Sequence, residues 1–236
     1  MPTMNSEKNE KTMEEARSDN VIGEWYRFEA YVYDLYLWFL FLFLGGIGKW
    51  RSSFCDMIDP KPGEDIAELC CGTGSITSRL AKRLDGHGVV ACDLSPDQIR
   101  VARFKAKLRG KPIDFSVQDA SKTSFPTSHF DKVVISAALH EIAKPRREAI
   151  YEEVERILKP GGHFLVTEPD LPANGWGRAW FRIVFGPWNP ERKIVRELID
   201  GGVESELRDA GFHIEESAPT NFGLFKNIRC SLSGLR

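Results

Sequence analysis

Asp65-Ile66-Ala67-Glu68-Leu69 is a mostly apolar run carrying a carboxylate near its end, and Cys70-Cys71-Gly72-Thr73-Gly74 follows at once. Glycine takes φ > 0 without steric cost and lets a ligand approach bare backbone. Ser75 then opens a helix-like stretch to Arg83. The free N–H groups of a helix start favour an anionic group. Strand, glycine turn and helix together suit a nucleotide-like ligand, although an ordinary βα connection has the same outline. A second apolar run, Val89-Val90-Ala91-Cys92-Asp93, also ends in an acid. It ends roughly 20 residues past the glycines, the distance at which an acid meets a ribose in dinucleotide folds.

These residues need a sheet to hold them. Ile113 to Ala120 reads as a third strand with Asp119 near its end, and Phe130 to Ser136 as a fourth. Lys159-Pro160-Gly161-Gly162 turns into a fifth, His163 to Glu168. Ser95-Pro96-Asp97-Gln98 begins the helix after Asp93, with Ser at the N-cap, Pro first in the helix and Gln at N3. Its Arg100, Arg103, Lys105, Lys107 and Arg109 read as a solvated face. Pro145 opens a helix whose Ile150, Val154, Ile157 and Leu158 form one apolar stripe.

At this point the chain resembles the class I S-adenosylmethionine-dependent methyltransferases, over about residues 60 to 235. The matching residues are Glu68…Gly72-Thr73-Gly74, Asp93, Asp119-Ala120, the Phe130-Asp131 strand and Lys159-Pro160-Gly161-Gly162. Within that family it looks most like the ubiquinone and menaquinone C-methyltransferases. The resemblance implies an α/β fold: a doubly wound, mostly parallel seven-stranded sheet ending in an antiparallel hairpin. It implies S-adenosylmethionine as cofactor, with S-adenosylhomocysteine as product. Glu68 and the Gly72-Thr73-Gly74 loop would hold the methionine end, Asp93 the ribose, and Asp119 with Ala120 the adenine, with Cys70 and Leu94 as further cofactor-binding candidates. Ser136 would lie near the transferred methyl. The first glycine of the family's turn is Cys70 here, and a residue with a Cβ fits there only at negative φ.

Chemistry on the acceptor is expected at Leu139-His140-Glu141, where the quinone enzymes carry an Arg-Asn pair. His140 has the residue type of a general base near neutral pH. A capping or supporting histidine is the other reading. Glu141 is its neighbour, and Tyr33 belongs to a Tyr33-Asp34 pair like the one that begins the quinone enzymes' cofactor-covering segment. The departure from Arg-Asn puts quinone C-methylation itself in question. Ser136-Ala137-Ala138-Leu139 replaces the Asn/Asp-Pro-Pro-aromatic run of nucleobase and amide N-methyltransferases. Two other classes stay open. A nicotinamide-dependent reductase would want a third glycine near Thr77, and a SAM-binding regulator would need no turnover.

The formal charge of −2 does not suggest a nucleic-acid binder. Five cysteines, an odd number with no C-x-x-C pair, argue against a disulfide framework or metal site and for a reducing cytoplasm. Residues 1–20 read as a flexible tail, 21–62 as an aromatic helical cap and 63–236 as the cofactor-binding core, with 171–202 a substrate-covering insertion. All six tryptophans lie in 21–50 or 171–190, outside the alternating core. Tyr26, Trp38, Trp176 and Trp180 are therefore the candidates for an apolar substrate chamber. Leu35 to Gly48 carries no charge. It reads as a helix over the site, a membrane-surface helix or a span, though a span needs roughly 20 apolar residues. An apolar small molecule or lipid is the expected acceptor, with peripheral membrane contact one route to it. Oligomeric state is not legible.

Overall fold

The computed structural model describes residues 46–84, 88–110, 113–172, 175–184 and 192–232. The tail, Tyr26, Tyr33, Trp38 and most of the uncharged run Leu35–Gly48 lie outside them. The described chain runs α1 (Ile47–Ile58), β1 (Ile66–Leu69), α2 (Ser75–Arg83), β2 (Val89–Asp93), α3 (Pro96–Leu108), β3 (Asp114–Val117) and β4 (Phe130–Ser136). A 3-10 turn over Leu139–Glu141 leads to α4 (Lys144–Ile157) and β5 (Leu158–Pro169). Then come α5 (Gly175–Val184), α6 (Arg192–Gly201), α7 (Val203–Asp209), β6 (Phe212–Thr220) and β7 (Phe225–Leu232).

The strands form one seven-stranded sheet in the order β3-β2-β1-β4-β5-β7-β6. Neighbours from β3 to β5 are parallel, and β7 is antiparallel to both β5 and β6. The winding reverses between β1 and β4. A crevice opens beyond the strand C-termini at such a switch, and ligands of open α/β sheets bind there.

The central strands read as unbroken apolar runs because both faces are covered. Ala67, Leu69, Val133, Ile135, Phe164 and Val166 pack to one side with Ile150, Tyr151, Val154 and Ile157 of α4. Their neighbours Ile66, Val134 and Leu165 point the other way, onto Phe54 and Ile58 of α1 and Ile76 and Leu80 of α2. Burying each such side chain fully is worth roughly 1.5–3 kcal/mol. A buried ion pair crosses the first layer: Arg147 of α4 donates from Nε and Nη2 to both carboxylate oxygens of Glu206 on α7, at 2.8 and 2.6 Å.

Two element boundaries differ from the sequence reading. The third strand stops at Val117, and Asp119 lies in the following turn, where Ser121 donates to its Oδ1 from both N (2.9 Å) and Oγ (2.8 Å). An Asp that bonds the backbone two residues on favours a turn over a strand. Lys159-Pro160-Gly161-Gly162 belongs to β5 but bulges from it. The pairing jumps from Phe130↔Leu158 to Lys132↔His163, and Gly161 has φ +78°.

Candidate active site

The crevice at the switch point is a cavity of about 610 Å³. Its floor is the glycine turn. Gly74 N–H donates to Cys71 O (2.9 Å) and closes the turn, and Cys71 N–H donates to Cys92 O (2.9 Å) across to β2. Gly72 and Gly74 have φ +54° and +68°. A Cβ on Gly74 would stand 2.9 Å from the Phe115 ring, whereas one on Gly72 would meet only Gln98 Oε1, at 4.0 Å, in otherwise open space. Cys70 corrects the sequence expectation, because its φ is +54° and not negative. A left-handed residue with a Cβ costs about 1–3 kcal/mol and persists where its surroundings over-determine it. The bonds from Cys71 and Gly74 on one side and the paired β1 on the other do so here.

Three carboxylates come to this rim. Glu68, near the end of β1, is 1% exposed and accepts a hydrogen bond from Thr77 Oγ1. Burial pushes its carboxyl up to about 8, against the opposing pull of Thr77. The residue standing where a reductase would want glycine thus has its own task here. Asp93, ending β2, accepts from Gly72 N (2.8 Å) and Ser95 N (2.9 Å), one on each oxygen. Burial raises its carboxyl, and these N–H bonds oppose the rise. Asp119 receives Arg146 Nη2 at 2.5 Å. Leu94, Thr73, Ala120 and Ser136 also line the cavity, so the sequence-predicted cofactor residues other than Gly74 all meet there. Gly74 closes the turn beneath them.

The Leu139–Glu141 turn places its two polar side chains differently. Glu141 lines the cavity, while His140 stands one layer behind its wall, 6% exposed. His140 Nδ1 lies 2.7 Å from Glu168 Oε2, and its Nε2 lies 3.8 Å from Glu141 Oε1. Trp176 and Trp180 fall on α5, but their side chains lie outside the described residues. Several residues of the site escaped the sequence. Trp50 and Arg51 reach it from α1. Lys105 leaves the solvated face of α3, its Nζ 2.9 Å from Thr73 Oγ1. Gln98 turns inward with a buried Oε1 that has no hydrogen-bond partner. Glu168 had a visible signal, since it ends an apolar strand in an acid as Asp93 does. Burial pushes the Cys70 and Cys71 thiols well above their ordinary range, so neither is a ready thiolate.

A parallel sheet reversing at β1/β4, with a glycine turn and strand-end acids around one crevice, defines a doubly wound α/β protein that binds a nucleoside-bearing ligand. Residues 66–162 match the methyltransferase domain family. The chain is 30% identical over 171 residues to an uncharacterized methyltransferase of Synechocystis sp., covering 72% of this chain and 77% of that one. It is 33% identical over 137 residues to a demethylmenaquinone methyltransferase of Thermus thermophilus, covering 58% and 61%. A SAM-dependent methyltransferase from Aquifex aeolicus shares the fold at a TM-score of 0.61 and 17% identity, over 76% of this chain and 88% of that one. The chain spans about half the length of several other curated relatives it matches. It belongs to the S-adenosylmethionine-dependent methyltransferases, a family of enzymes.

S-adenosylmethionine is the family's cofactor, and this cavity fits it. The open space over Gly72 would be filled by a Cβ, and Gln98 Oε1 is a buried acceptor awaiting a donor. Three carboxyl groups with oxygens that can accept match a ligand whose hydroxyls, ammonium and amine are all donors.

Proposed function

We propose that this protein transfers a methyl group to an apolar small-molecule or lipid-like acceptor, C- or O-methylation of a quinol-like ring being favoured. The observation carrying this reading is the shared cavity. Glu68, Gly72, Asp93, Asp119 and Ser136, the cofactor candidates, line the same cavity as Glu141, Ile142 and Trp50. Glu68 and the Gly72–Gly74 loop would hold the methionine end, Asp93 and Leu94 the ribose, and Asp119 and Ala120 the adenine. The cofactor supplies an already activated methyl. The chain's part is to align the acceptor, exclude water and receive its proton. Alignment alone can supply roughly 7–11 kcal/mol. Glu141 faces the cavity as the group that meets the acceptor's proton, with His140 behind it. Tyr33 and the aromatic residues Tyr26, Trp38, Trp176 and Trp180 are proposed to complete the acceptor side.

Curated relatives include demethylmenaquinone methyltransferases and a ubiquinone/menaquinone C-methyltransferase, which supports an apolar ring as acceptor. The Leu139-His140-Glu141 sequence in place of Arg-Asn favours a second reading, methylation of a different and more soluble small molecule. We place the protein in the cytoplasm, with peripheral contact to a membrane surface as the route to a lipid-like acceptor. No described helix is long and apolar enough to cross one.

The test has two parts. Calorimetry is expected to give saturable binding of S-adenosylhomocysteine. Incubation with S-adenosylmethionine and a panel of prenylated quinols, phenols and soluble catechols, read by mass spectrometry, is expected to yield a product heavier by one methylene from the apolar members. Turnover of the soluble members alone selects the second reading. Binding with no turnover of any leaves a SAM-binding protein without this activity.

A further inference from the structure

Glu168 is the penultimate residue of β5 and 1% exposed. Its Oε1 accepts from the backbone N–H of Ala138 (2.9 Å) and of Leu139 (2.8 Å). Its Oε2 accepts from His140 N–H at 3.3 Å and lies 2.7 Å from His140 Nδ1. One carboxylate therefore gathers three successive amides and an imidazole. Ala137, just before them, has φ +50°, so the chain leaves β4 through a left-handed residue straight onto this carboxylate.

Capping alone does not account for the group. A short turn is capped well by Ser or Asn, and burying a carboxylate is costly unless it is paired and hydrogen-bonded. An amide oxygen would serve Ala138 and Leu139 equally. The second oxygen requires a carboxylate, because it accepts both an amide N–H and the ring. With both oxygens accepting, His140 Nδ1 carries the hydrogen. The hydrogen bond made by one ring nitrogen sets the state of the other, so Nε2, turned toward Glu141 at 3.8 Å, is the basic nitrogen.

We propose that Glu168 is a positioning residue: it holds His140 in the Nδ1–H form and holds the Ala138–His140 backbone in the turn that presents Glu141 to the cavity. This rests on the reading that Glu141 and His140 serve the acceptor. A proton received at Glu141 Oε1 then faces the basic Nε2 of His140, and Glu168 on the far side of the ring favours the charge that would form there.

Glu168→Gln tests it, because the change keeps the shape, reverses the hydrogen bond to the ring and gives up only the long 3.3 Å bond from His140 N–H. Its Oε1 can still accept from Ala138 and Leu139, but its NH₂ now faces the ring. Nδ1 must become the acceptor, and the hydrogen moves to Nε2. Nitrogen-15 spectra of histidine-labelled protein read this directly, with His140→Gln assigning the signal among the five histidines. The wild type is expected to show a protonated Nδ1 and a bare Nε2, and Glu168→Gln the reverse, with S-adenosylhomocysteine affinity within about twofold. On the acceptor established as above, kcat should fall at least tenfold with KM within threefold. A wild-type ring protonated at Nε2 alone overturns the proposal without any variant, which keeps the test intact if Glu168→Gln fails to fold. An unmoved hydrogen in Glu168→Gln overturns it too, as does a moved hydrogen with unchanged kcat. Should the wild type turn over no acceptor, the proposed function fails while the spectra still decide whether Glu168 sets the ring.

Discussion

The indole of Trp50 donates from Nε1 to Thr167 Oγ1 at 3.0 Å, tying α1 to the C-terminal end of β5 beside the cavity. Thr167 in turn donates to Asn227 Oδ1 on β7 (2.7 Å), and Asn227 Nδ2 donates back to Ser53 Oγ on α1 (3.3 Å). The Trp50 ring packs on Phe225 with centroids 4.6 Å apart. This loop of bonds docks the helix that precedes the glycine turn. Trp50→Phe keeps a ring against Phe225 and loses the donor. A net hydrogen bond is worth about 1 kcal/mol, so denaturant unfolding should show a loss of about 1–2 kcal/mol. S-adenosylhomocysteine affinity should change little.

Asp93→Ala frees two backbone donors, Gly72 N–H and Ser95 N–H, and removes the proposed ribose acceptor. Affinity for S-adenosylhomocysteine should fall at least tenfold, about 1.4 kcal/mol. An unchanged dissociation constant by calorimetry would remove Asp93 from the ribose.

Glu68 makes stability and binding depend on pH. Its carboxyl is raised from an ordinary 4.5 to about 8 by burial. Between those values the folded chain keeps a proton that the unfolded chain has released. Its contribution is therefore fully present below the lower value and is lost as pH rises through the upper one. The Tm of the wild type should fall between pH 5 and 8.5 by several degrees more than that of Glu68→Gln. If Glu68 meets the cofactor's ammonium, S-adenosylhomocysteine binding at pH 7 should release a proton. Calorimetry in two buffers of different ionisation enthalpy would detect it, and Glu68→Gln should abolish it.

The Arg147–Glu206 pair joins α4 to α7, with Arg147 wholly buried. Breaking a buried pair by removing one partner costs about 3–5 kcal/mol, because a charge is stranded. Glu206→Ala should show this cost in denaturant unfolding. Replacing both residues by apolar ones of similar volume should recover most of it.

Membrane contact has a defined test on α5, where Arg178 and Arg182 are exposed one turn apart. Vesicles containing anionic lipid should co-sediment the protein, and Arg178→Glu/Arg182→Glu should weaken this. Aromatic rings with arginines suit the headgroup boundary, since each side chain has an apolar body and a polar end. No partition at any lipid composition would leave α5 as part of a closed cover over a soluble acceptor.

The glycine turn, the acids near the strand ends and the succession of strands and helices along the chain were legible in the sequence because each is a local matter. A turn needs φ > 0, a buried strand needs an apolar run, and a helix start needs Ser95-Pro96. Even the place of Asp93 at the cavity agrees with its spacing from the glycines. What lay beyond reach depended on contacts between distant segments. Nothing near Cys70 announces a left-handed backbone; bonds from β2 and within the turn impose it. Lys105 belongs to a charged face by periodicity, and only the packing of α3 against Cys71, Ala91 and Phe115 brings it to Thr73. The sequence left His140 either at the site or in support of it, and the antiparallel β7 and the parallel β4 set β5 so that Glu168 faces the ring. That contact across 28 residues draws His140 behind the wall and leaves Glu141 in the cavity. The residue types at the site could be read in order along the chain. Which of two adjacent side chains meets the cavity was decided by a buried carboxylate one strand away.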